Sequence, residues 1–261
     1  MPATSDWRSP RREVELKRLQ RPHIGLEFLR RSRTYRTDYS QMLERIAAGT
    51  MSRERAFADF AQRWGLVVPF RPEIAVDAAP ILWRPELMPV AVLLAPVPNG
   101  FDAARIAVLE AEQPQRTHDG PDGRHILLDD VAGPHQLWCF KPGVQQRLGV
   151  LIPLDADFRL RLAAVQRLHR RMIGLSPGPL PRGWRLTAMQ RRRFVVMLRA
   201  LDGHLEGASY REIARVLLDA EAARWPASAW KSSAARSQVI RLVTEGTAIM
   251  NGGYRKLLRG R

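Results

Sequence analysis

The sequence predicts an α+β protein: a helical N-terminal module, a small, mostly antiparallel central sheet, and a C-terminal helical domain with a helix-turn-helix. Three observations predict it. Apolar residues recur at helical spacing at both ends of the chain. Between them, short β-branched-rich runs alternate with Gly/Pro turn signals. The charge follows the same division. Of 261 residues, 42 are Lys or Arg and 26 are Asp or Glu, a formal net charge of +16. Residues 1–65 hold 14 basic and 8 acidic residues, 66–157 hold 7 and 12, and 158–261 hold 21 and 6.

In the first segment, residues 13–19 read as a short helix after Ser9-Pro10, residues 26–31 as a second and 52–64 as a third. The third places Ala56, Phe57, Phe60, Ala61 and Trp64 at helical spacing before the stop signal Gly65. Strand candidates follow at 66–70, 90–95, 105–109, 125–128, 136–140 and 148–154. Turn signals separate them at 98–100, 119–123 and 142–143. Helical spacing returns at 157–173, where Phe158, Leu162, Val165, Leu168 and Met172 form one stripe, read as the buried face. Residues 174–183, with Pro177, Pro179 and Pro181, read as a linker and internal boundary. A strong helix over 187–201 follows, with Phe194, Met197, Leu198 and Leu201 as its core face. The expected domains are 1–100, a central β-rich region 101–173 ending in a basic helix, and 184–261.

Several classes are excluded or disfavoured. A single cysteine, Cys139, rules out an intramolecular disulfide framework and fits a reducing cytosol; it reads as a buried core thiol. The opening residues have no apolar core, so no secretory leader is expected, and the longest uncharged run, 87–101, is too short and too proline-rich to span a bilayer. An enzyme is not expected. The six histidines are scattered, and the one local cluster of His118, Asp119, Asp122 and His125 lies in a Gly-Pro turn, where Asp serves turn chemistry. No phosphate-cradling loop, catalytic residue, metal or other cofactor is expected.

A C-terminal segment this basic expects a polyanion, most often nucleic acid. Thirty-eight of the 42 basic residues are arginine, the cation suited to phosphates and guanine edges. The informative stretch is 207–244. Ser209-x-x-Glu212 reads as a capping box opening a short helix, 210–218, whose inner face is Ile213, Ala214 and Leu217. A connection over 219–231 follows, longer than the usual helix-turn-helix turn. A second helix then runs to about Thr244. Its wheel places Ala235, Val239, Leu242 and Val243 on one side and Ser233, Ser237, Arg241 and Thr244 on the other, with Arg236, Gln238 and Ile240 flanking. A face of Ser, Arg and Gln suits base-edge and phosphate contact. The candidate DNA contacts are therefore Lys231, Ser233, Arg236, Ser237, Gln238 and Arg241, with Arg192, Arg193, Tyr210, Arg211 and Arg255 in support. Asn251-Gly252-Gly253 reads as a helix break before an anchored Tyr254.

These residues also carry a resemblance. From about residue 149 to 259, the strings IPLDADFRLRLAAVQRL, LTAMQRRRFVVMLRALDGHLEGASYREIARVLL and GGYRKLL resemble a proteobacterial domain-of-unknown-function family with a helix-turn-helix, found in regulators of integrative and conjugative elements. The first hundred residues, through DWRSP, GLEFLRRSRTYRTDY, QRWGL and APILWRPELMP, resemble a companion transcriptional-regulator-like family. The resemblance implies a DNA-binding regulator, an activator of excision or transfer genes checked by a small anti-activator protein. It places Tyr210, Glu212 and Ile213 in the positioning helix and Arg236 and Arg241 in the basic second helix.

The expected partners are thus double-stranded DNA, RNA polymerase and an anti-activator, with no membrane. A homodimer or second DNA-contacting element is expected too, because one short recognition helix supplies little contact area. The expected location is the cytoplasm, at the nucleoid. The alternative is a protein-interaction module docking through Trp7, Phe28, Tyr35 and Tyr39, with only nonspecific DNA affinity.

Overall fold

A computed structural model of the chain describes residues 6–76, 81–105, 115–120, 122–140 and 147–260. In chain order the elements are α1 (Pro10–Arg18), α2 (Arg21–Leu29), α3 (Arg33–Ala47), α4 (Arg53–Trp64), β1 (Val92–Pro96), β2 (Gln115–Gly120), β3 (Gly123–Leu128), β4 (His135–Cys139), β5 (Leu148–Leu151), α5 (Phe158–Met172), α6 (Ala188–Leu205), α7 (Tyr210–Leu217), α8 (Ala227–Lys231), α9 (Ala234–Ala248) and α10 (Tyr254–Leu258). A mixed α+β fold with one small, mostly antiparallel sheet matches the class the sequence predicts. No described helix is long and apolar enough to cross a membrane.

The chain forms two compact units, both discontinuous in sequence. The first comprises Met1–Ser52, Phe70–Ala79 and Leu186–Leu257. Ser9 caps α1 by accepting from the Arg11 backbone N–H, and Pro10 occupies the first turn, where its missing N–H costs nothing. α2 is buried over nearly its whole length and packs on α6; Phe28 meets Phe194 edge to face at 6.3 Å. Ser32 caps α3, which the sequence reading missed. Its run of Thr, Tyr, Asp and Ser has weak helix propensity, and only Tyr35 and Met42 are buried, so no apolar stripe announces it. Trp7, Phe28 and Tyr35 are fully buried. They are core side chains, which removes three of the four aromatics on which the alternative docking reading rests.

Arginine is structural in this unit. Arg199 donates to the backbone oxygens of Trp7 (2.8 Å) and Arg8 (3.3 Å) and pairs with Glu13 at 2.6 Å. Arg21 donates to the Leu257 oxygen at 2.8 Å. Arg31 grips Asp202 through two nitrogens, at 2.5 and 2.7 Å, and also bonds Glu27. These guanidiniums satisfy buried carbonyls and carboxylates that would otherwise be costly orphans.

The second unit comprises Arg53–Pro69, Pro80–Arg185 and Leu258–Arg261. Its sheet has the order β2-β3-β4-β1-β5; β1 and β4 are parallel and the other pairs antiparallel. Buried Val92, Leu94, Ile126, Leu128, Leu137 and Cys139 form its core. The β2–β3 hairpin needs glycine at 123: its φ is +131°, and a Cβ there would lie 2.3 Å from the Cys139 oxygen.

Three expectations change here, and a fourth falls largely outside the described residues. Residues 66–70 make only an isolated bridge, Leu66 to Trp83, because Pro69 ends the pairing. Of the expected strand 105–109, Arg105 bridges Arg147 and the remainder lies outside the described residues, as do Pro121 and the turn at 142–143. β2 was missed because its polar QRTHDG carries no apolar alternation; its pairing to β3 defines it. The face of α5 is turned. Arg161, Ala164, Arg167 and Leu168 are buried, whereas Phe158, Leu162 and Met172 are 37%, 39% and 37% exposed. Arg167 points inward because it donates to the Gly133 oxygen at 3.0 Å and the Gly178 oxygen at 3.1 Å.

His135 gives a pH prediction. It is 3% exposed, and burial, reinforced by the Arg167 cation, holds its imidazole at about 4 instead of 6.5. The unfolded chain takes up this proton at 6.5 and the folded chain only near 4. Stability is therefore lost as pH falls from 6.5 to 4, by up to about 1.4 kcal/mol per unit. Urea unfolding at pH 7 and pH 5 should show a smaller drop in His135→Phe than in the wild type.

Candidate nucleic-acid interface

The interface is built on α6, α7 and α9, which pack on one another within the first unit. α6 starts from a true capping box: Thr187 Oγ accepts from the Gln190 N–H, and the Gln190 side chain accepts from the Thr187 N–H. At Ser209 only half of the predicted box forms. Ser209 Oγ accepts from the Glu212 N–H at 3.2 Å, but the Glu212 carboxylate takes the Arg8 guanidinium at 2.6 Å, a charged donor preferred over a neutral backbone one.

Close packing fixes α7 against α6. Ile213 and Ala214 are fully buried, and Leu217, expected inside, is half-buried. Gly203 lies within α6, which runs on to Leu205, past the expected end at 201. A Cβ at 203 would sit 3.0 Å from the Trp7 ring and 3.1 Å from Ile213. Gly203→Ala should therefore destabilise the unit by about 1–3 kcal/mol despite alanine's better helix propensity, readable as a lower urea midpoint.

The connection from α7 to α9 contains a 3-10 turn (Ala220–Ala223) and the short α8. Arg211 ties it down. Its guanidinium donates to the Trp225 oxygen and lies 5.8 Å from the Trp230 ring centre. Ser233 caps α9: its Oγ accepts from the Arg236 N–H at 3.1 Å and donates to the Trp230 oxygen at 2.9 Å. Arg211 and Ser233 thus hold the scaffold. Tyr210 stacks on His204 at 5.7 Å, and Arg255 lies over the Tyr254 ring at 5.0 Å. Tyr254 is fully buried, and the break before it is real: Gly252 has φ +131°.

α9 buries Val239, Leu242, Val243 and Gly246. Ser237, Gln238, Arg241 and Thr244 are exposed, and Arg236 is half-buried. Gln238 and Arg241 line a surface groove of about 500 Å³ together with Arg192 and Arg193 from α6, above an apolar floor that includes Leu217 and Leu218. The groove thus gathers four of the sequence-predicted contacts from two helices. Arg193 is already paired, with Glu245. That pair is exposed on both sides, so it is weak and open to exchange. Among the described residues, Arg192, Lys231, Arg236 and Arg241 carry no ion pair or side-chain hydrogen bond, so their charge is available to an external anion. The apolar floor and the Arg193–Glu245 pair were invisible to a wheel of one helix, because they arise only where helices pack together.

The His118, Asp122 and His125 cluster is a hairpin feature. His125 is fully buried, stacks on Trp138 at 5.7 Å and lies 3.6 Å from Asp122. Among the described residues, no group of three or more His, Cys, Asp or Glu could hold a metal ion.

Two segments of the chain match known families. Residues 151–259, spanning α5 to α10, match a family described as T6SS, transcription factor, DNA binding domain. Residues 6–69, spanning α1 to α4, match the proteobacterial transcriptional regulator-like domain. No curated protein and no solved structure matches the chain. The two segments mark this chain as a transcriptional regulator with a DNA-binding domain.

Proposed function

We propose that the chain binds duplex DNA sequence-specifically through a helix-turn-helix in which α7 positions and α9 reads the major groove. The observation that carries this is the groove where Arg192, Gln238 and Arg241 meet, with Arg236 and Lys231 equally uncommitted, inside a segment matching a DNA-binding family. Arg192, Arg193, Lys231 and Arg236 neutralise phosphates and set the register. Gln238 and Arg241 take base edges, glutamine suiting adenine and arginine guanine. Ser237 is within the same face; Tyr210, Arg211 and Arg255 support from behind or bind backbone. The work is binding, with no bond made or broken.

One helix face of this size supplies less area than a specific operator contact, so the active species is a homodimer or uses a second DNA-contacting element. In this reading the protein acts on the nucleoid in the cytoplasm and activates excision and transfer genes of a mobile element, through contact with RNA polymerase and under check by a small anti-activator. The matched family's description favours a second target set, genes of a type VI secretion system.

Selection of bound fragments from random duplex DNA by the purified full chain, followed by genome-wide occupancy, tests both. The expected result is one enriched motif upstream of transfer or secretion genes. Enrichment of no motif, with equal retention of all fragments, would overturn sequence-specific binding.

A further inference from the structure

The second unit holds a different kind of site. Between the sheet and α5 lies an open groove of about 600 Å³. Leu94, Leu148 and Leu168 are its buried floor, and Val150, Val165 and Met172 its walls. Val165 and Met172 of α5 line it together with Leu148 and Val150 of the outer strand β5. The volume is within the range of small-molecule sites, and the lining is apolar with few polar groups, as such sites are.

Those polar groups share one chemistry. Gln166, His169 and Arg170 line the groove, and no carboxylate does among the described residues. Basic side chains gather in the last turn of α5, where they complement the helix dipole. Arg170 spends one nitrogen: its Nε donates to the Ser176 oxygen at 2.8 Å. This fixes the guanidinium at the rim and leaves its terminal N–H groups uncommitted. The Gln166 and His169 side chains make no hydrogen bond or ion pair among the described residues.

We propose that this groove binds an amphipathic monocarboxylate, its apolar body on Leu94, Leu148, Val150, Val165 and Met172 and its carboxylate on Arg170. An apolar floor alone would accept any oily group; the fixed guanidinium selects the anion, since a charge-assisted pair to a carboxylate is among the stronger polar contacts. A neutral amphiphile of equal length keeps the apolar contact and loses that pair.

Isothermal titration of the full chain with decanoate and with decanol, both below their aggregation concentrations, tests it. Decanoate should bind and decanol should bind about tenfold more weakly or more, the loss of one charge-assisted hydrogen bond. Arg170→Gln, at an exposed position, should bring decanoate down to the decanol level. Val165→Trp, which fills the groove, should abolish both. Equal binding of acid and alcohol, or binding unchanged in Arg170→Gln, would overturn the proposal. So would no decanoate binding at all, which would leave the groove to a protein segment.

Discussion

Replacing Arg236 and Arg241 together by alanine should lower the affinity for duplex DNA by about a hundredfold or more, at about 1–3 kcal/mol for a base-reading arginine and somewhat less for a phosphate contact. The plot of log affinity against log salt should become shallower by about 2 if both arginines neutralise phosphates, and by about 1 if Arg241 reads a base instead. Neither side chain has a partner within the described residues, and α9 is held by Val239, Leu242 and Val243 on its other side, so the variant should fold as the wild type does. Arg193→Ala is the internal control. Its guanidinium begins in a pair with Glu245 and must leave it to meet a phosphate, so its loss should cost less. Fluorescence anisotropy on one operator fragment over a salt series reads all of these effects.

The second large effect is on stability. Glu27→Gln should destabilise the protein by about 3–5 kcal/mol, the usual cost of removing one member of a buried ionic network. Glu27 is 1% exposed and faces three arginines: Arg12 at 3.1 Å, Arg30 at 3.4 Å, and Arg31, which it meets in a short pair. Burial alone would raise its pKa, but the three guanidiniums more than offset this and hold it at about 2. The sign follows directly. The folded pKa is depressed, so the stabilisation is fully present above about 4.5 and is lost as pH falls through about 2. Urea denaturation at pH 7 should show the full loss in Glu27→Gln, and the gap to the wild type should close below pH 4. A neutral change at pH 7 would mean that the arginines reach water in the folded state.

The outward face of α9 was legible, because burial of Val239, Leu242 and Val243 fixes the opposite side at 100° per residue. The sheet was legible at β1, β3, β4 and β5, where apolar runs meet turn signals. β2 and α3 were not: polar or turn-forming residues compose both, and tertiary pairing or capping stabilises them.

The same limit applies to charge. In the sequence every arginine counts toward a polyanion partner, yet Arg21, Arg30, Arg31, Arg161, Arg167 and Arg199 are buried and hold carbonyls and carboxylates of this chain. The stripe on α5 failed for a related reason. Arg161 and Arg167 have specific partners (Asp155 for the one, the Gly133 and Gly178 oxygens for the other), so both guanidiniums are buried while Phe158 and Leu162 stay outside. Periodicity ranks residues by polarity, whereas the fold ranks them by whether their polar atoms find partners.

Cys139 is fully buried, so a cysteine introduced at an exposed position is the one readily labelled thiol in the chain. Gln238→Cys carrying a DNA-cleaving metal chelate therefore tests directly whether the α9 face enters the groove of bound DNA. The conjugate, bound to its selected operator, should cut the duplex within the protected site, at positions that define where Gln238 lies. A conjugate that still binds the operator but leaves the DNA uncut would contradict this, and would place the DNA on another surface of the protein.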